Sequence, residues 1–191
     1  MIAEDRPKPT TREEILARLQ EKEHLAGADF SGLDMSQIKL TGLAMPGANF
    51  SRANLQKAVI AGMDLAEADF SGADLEGALV AGVNMTRANL QGANLKGAKV
   101  NATNFENANM SGADLSETTF VATNVSGADF TQAVTTGARS SAVGWRSAKV
   151  SPAETPAAMR PPLWAIGLSL GVVAVIVFLV LRNVKGRRRP D

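Results

Sequence analysis

The hydrophobic pattern of this chain has a period of five. From Phe30 onward every fifth residue is apolar for twenty-one positions: Phe30, Met35, Leu40, Met45, Phe50, Leu55, Ile60, Leu65, Phe70, Leu75, Val80, Met85, Leu90, Leu95, Val100, Phe105, Met110, Leu115, Phe120, Val125 and Phe130. Two residues before each stands a small or apolar residue, most often alanine, and the residue between is usually Asp or Asn. A helix repeats every 3.6 residues and a strand every 2.0, so neither keeps one apolar column in this register. A short fixed period predicts stacked units, none of which buries its apolar face alone.

The unit A-(D/N)-(L/F)-x-x, unbroken over residues 28–132, resembles the pentapeptide-repeat family. The resemblance implies an all-β solenoid: a right-handed quadrilateral parallel β-helix, with one pentapeptide per wall and four per coil. It also implies that the central apolar residue and the small residue two before it point inward. Sorting by twenty then gives four walls. Wall one stacks Phe30, Phe50, Phe70, Leu90, Met110 and Phe130 over a column of alanines at 28, 48, 68, 88, 108 and 128. Where that column loses Phe, the neighbouring walls supply Phe105 and Phe120, which reads as volume compensation within one core. Coils spaced by roughly 4.8 Å give a rod roughly 25 Å long.

The outward residue before the central apolar one separates the walls. On walls one, two and four it is almost always Asp or Asn; on wall three it is Lys39, Val59, Leu79, Lys99 and Thr119. Val59 and Leu79, flanked by Ala61 and Ala81 and ended by Lys39 and Lys99, form a candidate docking strip for a protein partner or a membrane. Sequence tolerance is the plain alternative, since single exposed apolar groups are common. The Asp/Asn columns suit side-chain-to-backbone bonding at turns better than a metal, because the nonapeptide glycine-rich pattern of calcium-binding β-helices is absent. Glycines such as Gly32, Gly42 and Gly62 recur at one repeat position, as left-handed corners require.

Flanking segments complete the organisation. Residues 1–10 are polar, hold Pro7 and Pro9, and lack the apolar region of a secretory signal. Thr11 and Glu14 form a capping-box pattern, and Ile15, Leu16 and Leu19 predict one apolar helix face, giving a capping helix over 11–24. An uncapped β-helix end would expose core and unpaired backbone groups. The repeat domain is placed at 25–139, with the pattern decaying after Gln132. An end cap and Pro/Ala linker follow at 140–162, in which Trp145 either folds over the last coil or lies at a membrane surface.

Residues 163–181 are an uncharged apolar run, long enough as a helix to span roughly 28 Å. They predict a C-terminal transmembrane α-helix, with Trp164 as an interface anchor and Gly167 and Gly171 as a G-x-x-x-G packing motif for a homodimer. The tail, 182–191, carries five bases, which favours keeping it inside. The lack of an export signal favours a cytoplasmic repeat domain, and the latter is the expectation.

Composition narrows the function class. Net charge is +1 and cysteine is absent, so neither nucleic-acid binding nor a disulfide or thiolate site is indicated. Residues 25–132 hold eleven acids against six bases. The single histidine, His24, has no triad partners, and no catalytic residue, cofactor or metal site is expected. The expected function is a non-enzymatic, membrane-anchored scaffold or adaptor that presents a rigid β-helical face to a protein partner. The family resemblance implies an alternative, a DNA-imitating protein that binds topoisomerase. A third is an accessory subunit of a membrane or secretion complex.

Overall fold

The computed structural model describes residues 8–21, 25–149 and 156–158. The apolar run at 163–181, with Trp164, Gly167 and Gly171, lies outside the described residues. Among the described residues no helix is long and apolar enough to cross a membrane.

The first element is α1, Arg12–Glu21. Its start is closed reciprocally: the Glu14 N–H donates to Thr11 Oγ1 at 3.2 Å, and the Glu14 carboxylate accepts the N–H groups of Thr11 at 3.1 Å and Thr10 at 2.6 Å. Ile15 and Leu19 join the core, but Leu16 is 42% exposed. Arg18 takes the expected place of Leu16 on the inner face, its guanidinium 5.8 Å from the centre of the Phe30 ring. The reason is spacing: 15, 18 and 19 share a helix face, whereas 16 stands about 100° from 15.

From Leu25 the chain winds as a parallel solenoid in which each residue pairs with the one twenty ahead. Wall three forms the strands β1 Lys39–Thr41, β2 Val59–Ala61, β3 Leu79–Ala81, β4 Lys99–Asn101, β5 Thr119–Val121 and β6 Arg139–Ser141. A seventh, β7 Ala157–Ala158, completes one parallel sheet in the order β1-β2-β3-β4-β5-β6-β7. The other walls pair through single bridges, such as Asp29 with Asn49, Asp34 with Asn54 and Asp64 with Asn84. Backbone bonds from coil to coil are short, as in Phe50 N–H to Asp69 O at 2.6 Å and Asn49 N–H to Ala28 O at 2.9 Å.

Both inward columns are buried from Phe30 to Phe130, apart from the partly covered Leu33. Phe30, Phe50 and Phe70 stack with ring centres 5.3 and 4.8 Å apart and ring planes nearly parallel. Threonines that stand in the small column turn their hydroxyls to the backbone, as Thr118 does to Leu95 O at 2.7 Å. The corner position has positive φ at every fifth residue from Gly27 to Ala142, including Gln37, Arg52, Lys57 and Glu67. The left-handed corner is therefore imposed by the ladder, and glycine only lowers its strain.

The C-terminal end differs from the expected decay. Thr135, Ser140 and Trp145 continue the inward column in register and are buried. Trp145, in a 3₁₀ turn at Trp145–Ser147, packs edge-on against Phe120 and Phe130, each with ring centres 5.4 Å away. Its Nε1–H donates to Ser140 Oγ at 3.1 Å, and the Ser140 hydroxyl donates to Pro156 O at 3.2 Å. Of its two expected places, Trp145 takes the one over the last coil. The linker is likewise more than a spacer, since its residues 157–158 form β7 against Arg139 and Ser140.

Candidate docking wall

Walls one, two and four are shaped by their Asp and Asn columns. Each such residue accepts, through Oδ1, the N–H two residues ahead, as in Ser51 to Asn49 at 2.9 Å and Glu76 to Asp74 at 3.1 Å. The same oxygens accept from the next coil: Asn54 Nδ2 to Asp34 at 3.1 Å, Asn84 to Asp64 at 2.9 Å, Asn89 to Asp69 at 3.0 Å and Asn94 to Asp74 at 3.0 Å. An amide between two carboxylates supplies the donor that a run of Asp would lack. The Asp/Asn columns are thus structural ladders, and among the described residues no group of three or more possible metal ligands comes together.

Corners after these walls close by an N–H bonded three residues back, such as Ala53 to Phe50 at 3.0 Å, Ala58 to Leu55 at 3.0 Å and Ala68 to Leu65 at 3.1 Å. Wall three has no Asp or Asn before its central residue, so no side chain folds back on the following N–H. Its backbone stays extended through a full three-residue strand instead.

The sequence-predicted strip is assembled by this sheet. Lys39, Val59, Leu79 and Lys99 are consecutive partners in the ladder, and Ala61 and Ala81 pair beside them. Lys39 and Lys99 are exposed, whereas Val59, Leu79, Ala61 and Ala81 are half-buried. The apolar centre is thus a low floor between two standing cations about 14 Å apart at three rungs. The most exposed large apolar side chains among the described residues lie elsewhere, at Leu16 and Val134. Sequence reasoning missed Arg139, which pairs with Thr119 and extends the cationic column. The signal was the twenty-residue spacing from Thr119.

Charge sets this wall apart. The outward positions of β1 to β6 carry Lys39, Lys99 and Arg139 and no acid. The solenoid's carboxylates stand on the other walls, where Lys8 meets Asp29 at 3.8 Å, Arg87 meets Glu67 at 2.9 Å and Lys149 meets Asp129 at 3.5 Å. Hydrogen bonds from the Thr131 hydroxyl and N–H, with Lys149 nearby, hold the Asp129 carboxyl below its usual range. The Ser36 N–H and hydroxyl, helped by Arg12, do the same for Asp34. These groups stay charged at neutral pH, so the contrast between wall three and the rest persists there.

Comparison with protein families agrees with the five-residue register. The family model for pentapeptide repeats (eight copies) matches residues 34–72, 68–107 and 101–134, more than half of the chain. Among curated proteins no match is found. Among solved structures the chain is similar to a trypsin-treated variant of QnrB1, a plasmid-mediated fluoroquinolone resistance protein, with 30% identity and a TM-score of 0.45. That match covers 64% of this chain and 64% of the QnrB1 chain. It is also similar to the pentapeptide repeat protein Rfr23 from the cyanobacterium Cyanothece 51142, with 21% identity and a TM-score of 0.47 over 71% of this chain and 99% of that one. A pentapeptide repeat protein of the Arabidopsis thaliana thylakoid lumen shows 33% identity and a TM-score of 0.27 over 52% of this chain and 66% of its own. On its five-residue register, its twenty-residue ladder and the family-model match over more than half of its length, the chain belongs to the pentapeptide-repeat family.

Proposed function

We propose that the protein is a membrane-anchored scaffold that binds a protein partner along wall three. Members of its family are generally non-enzymatic structural or binding proteins. The observation that carries the reading is the acid-free strip Lys39–Val59–Leu79–Lys99, presented in register on the one continuous sheet of the solenoid. A stacked sheet wall moves little, so a partner that fits it loses little to ordering it. The membrane half of the proposal comes from residues 163–181, with Trp164 at the interface and Gly167 and Gly171 packing against a second copy. The repeat domain then stands on the cytoplasmic side.

The test is the double variant Val59→Glu with Leu79→Glu in the full chain, purified from membranes with its partners identified by mass spectrometry. The expected result is unchanged circular dichroism and loss of the partner. Unchanged co-purification would refute wall three as the docking surface. The DNA-imitating alternative draws on the acids of walls one, two and four, but a basic wall three works against it. Topoisomerase in the eluate, retained by the double variant, would favour that alternative.

A further inference from the structure

Charge is divided along the solenoid as well as around it. Residues 25–129 hold eleven acids against six bases. Residues 130–149, the last coil and its cap, hold Arg139, Arg146 and Lys149 and no acid. All three bases are exposed, and they belong to different walls: Arg139 to β6 on wall three, Arg146 to the 3₁₀ turn, and Lys149 to a rung paired with Ala128 on wall one. They stand on more than one side of the last coil and its cap. Lys149 also meets Asp129, but at 70% side-chain exposure this pair binds weakly and leaves the ammonium available.

The chain leaves the solenoid at this same end. β7, the last described element, closes the sheet at Ala157–Ala158. Only residues 159–162, which include Arg160, separate it from the apolar run. Five peptide steps reach at most about 18 Å. On the anchored reading above, this is all the chain that lies between β7 and the run.

We infer that the C-terminal end of the solenoid, through Arg139, Arg146 and Lys149, sits on an anionic lipid surface and holds the tower end-on to the bilayer. The inference rests on the anchored reading above and adds an orientation to it. The acidic coils are repelled by anionic headgroups and the basic end is attracted, so both terms favour the same pose. The part of wall three that carries Lys39, Val59, Leu79 and Lys99 then stands away from the lipid-facing end and is open to a protein.

The chain has no cysteine, so single labels are simple to place. Thr136→Cys marks an exposed site in the last coil and Thr41→Cys one in the first. The full chain is reconstituted with a fluorophore at either site. The vesicles are of phosphatidylcholine alone or of a phosphatidylcholine–phosphatidylglycerol mixture, and both contain a headgroup quencher. The expected result is strong quenching at Thr136→Cys in the anionic vesicles, weakened by high salt or by Arg139→Gln, Arg146→Gln and Lys149→Gln together. Thr41→Cys should stay unquenched throughout. Equal quenching of both labels would overturn the end-on pose in favour of a tower lying flat. Quenching at Thr136→Cys that ignores lipid charge and the triple variant would show a tether without docking, and overturn the inference. A carbonate wash tests the anchor separately: carbonate-resistant protein without charge-dependent quenching sinks the docking alone. Charge-dependent binding that carbonate removes sinks the anchor alone.

Discussion

Phe50 is the centre of the aromatic stack and the clearest place to test whether coil spacing is rigid. It is fully buried, with Phe30 and Phe70 on either side at 5.3 and 4.8 Å. Replacing it by alanine removes its transfer energy and leaves a void, which together cost about 3–5 kcal/mol for Phe→Ala in a core. Collapse would reduce that figure, but the backbone above and below is pinned. The Phe30 N–H bonds Asn49 O at 2.7 Å, and the Phe50 N–H bonds Asp69 O at 2.6 Å. Two ring–ring contacts are lost as well, each worth about 0.5–1.5 kcal/mol beyond area. We therefore expect a loss near the upper end, about 4–5 kcal/mol, and about 1.5 kcal/mol for Phe50→Leu, which keeps most of the volume. Leu90 in the same column shows that leucine fits the site. The assay is urea denaturation of the full chain in detergent, with hydrogen exchange to locate the damage. Because each coil contacts mainly its neighbours, the first coils should lose protection before those near Phe105. A cost below about 1 kcal/mol for Phe50→Ala would refute the argument, since it would mean the coils close over the gap.

Two further outcomes follow from the polar ladders. Asn54→Asp puts a third carboxylate in line between Asp34 and Asp74 and removes the bond from Asn54 to Asp34; we expect a loss of about 1–2 kcal/mol that shrinks in high salt, and a salt-independent loss would contradict the repulsion. Acid should also weaken the fold. Glu14, held low by the N–H groups of Thr10 and Thr11, and Asp129, held low by Thr131, have folded pKa values below their ordinary 4.5 and 3.8. Their stabilisation is present above those values and is lost as pH falls through the lower folded ones, so the denaturation midpoint should be level from neutral pH to about pH 5 and fall below about pH 4. A midpoint that rises on acidification would show the sign to be wrong.

Most of the fold is legible because its two inward columns repeat without a slip from Phe30 to Phe130. A period of five predicts a stack, and the four repeats per coil that the family resemblance implies put wall three in register. The ends are harder to read for physical reasons. Thr135 and Ser140 interrupt the apolar column, so Trp145 reads as isolated although it stands in register. What permits Ser140 there is its pair of bonds to Pro156 and Trp145, which no spacing reveals. β7 is two alanines long, too short to carry any periodicity. On α1 the apolar Leu16 drew attention from Arg18, whose stem and guanidinium reach the Phe30 face as a long cation can. For the candidate site, the ladder that unites Lys39, Val59, Leu79 and Lys99 is visible in sequence. The half-burial of its apolar members and the added base at Arg139 come only from the packed sheet.

The left-handed corner at every fifth residue makes the solenoid a counting device. Removing twenty residues would delete one full coil and leave all later side chains on their original faces. Removing five would turn everything downstream by a quarter revolution. Lys99 would then line up with Asp and Asn rather than with Lys39, while the core columns remained sealed. Chain length between two points, more than the identity of what lies between, decides which way a given residue looks.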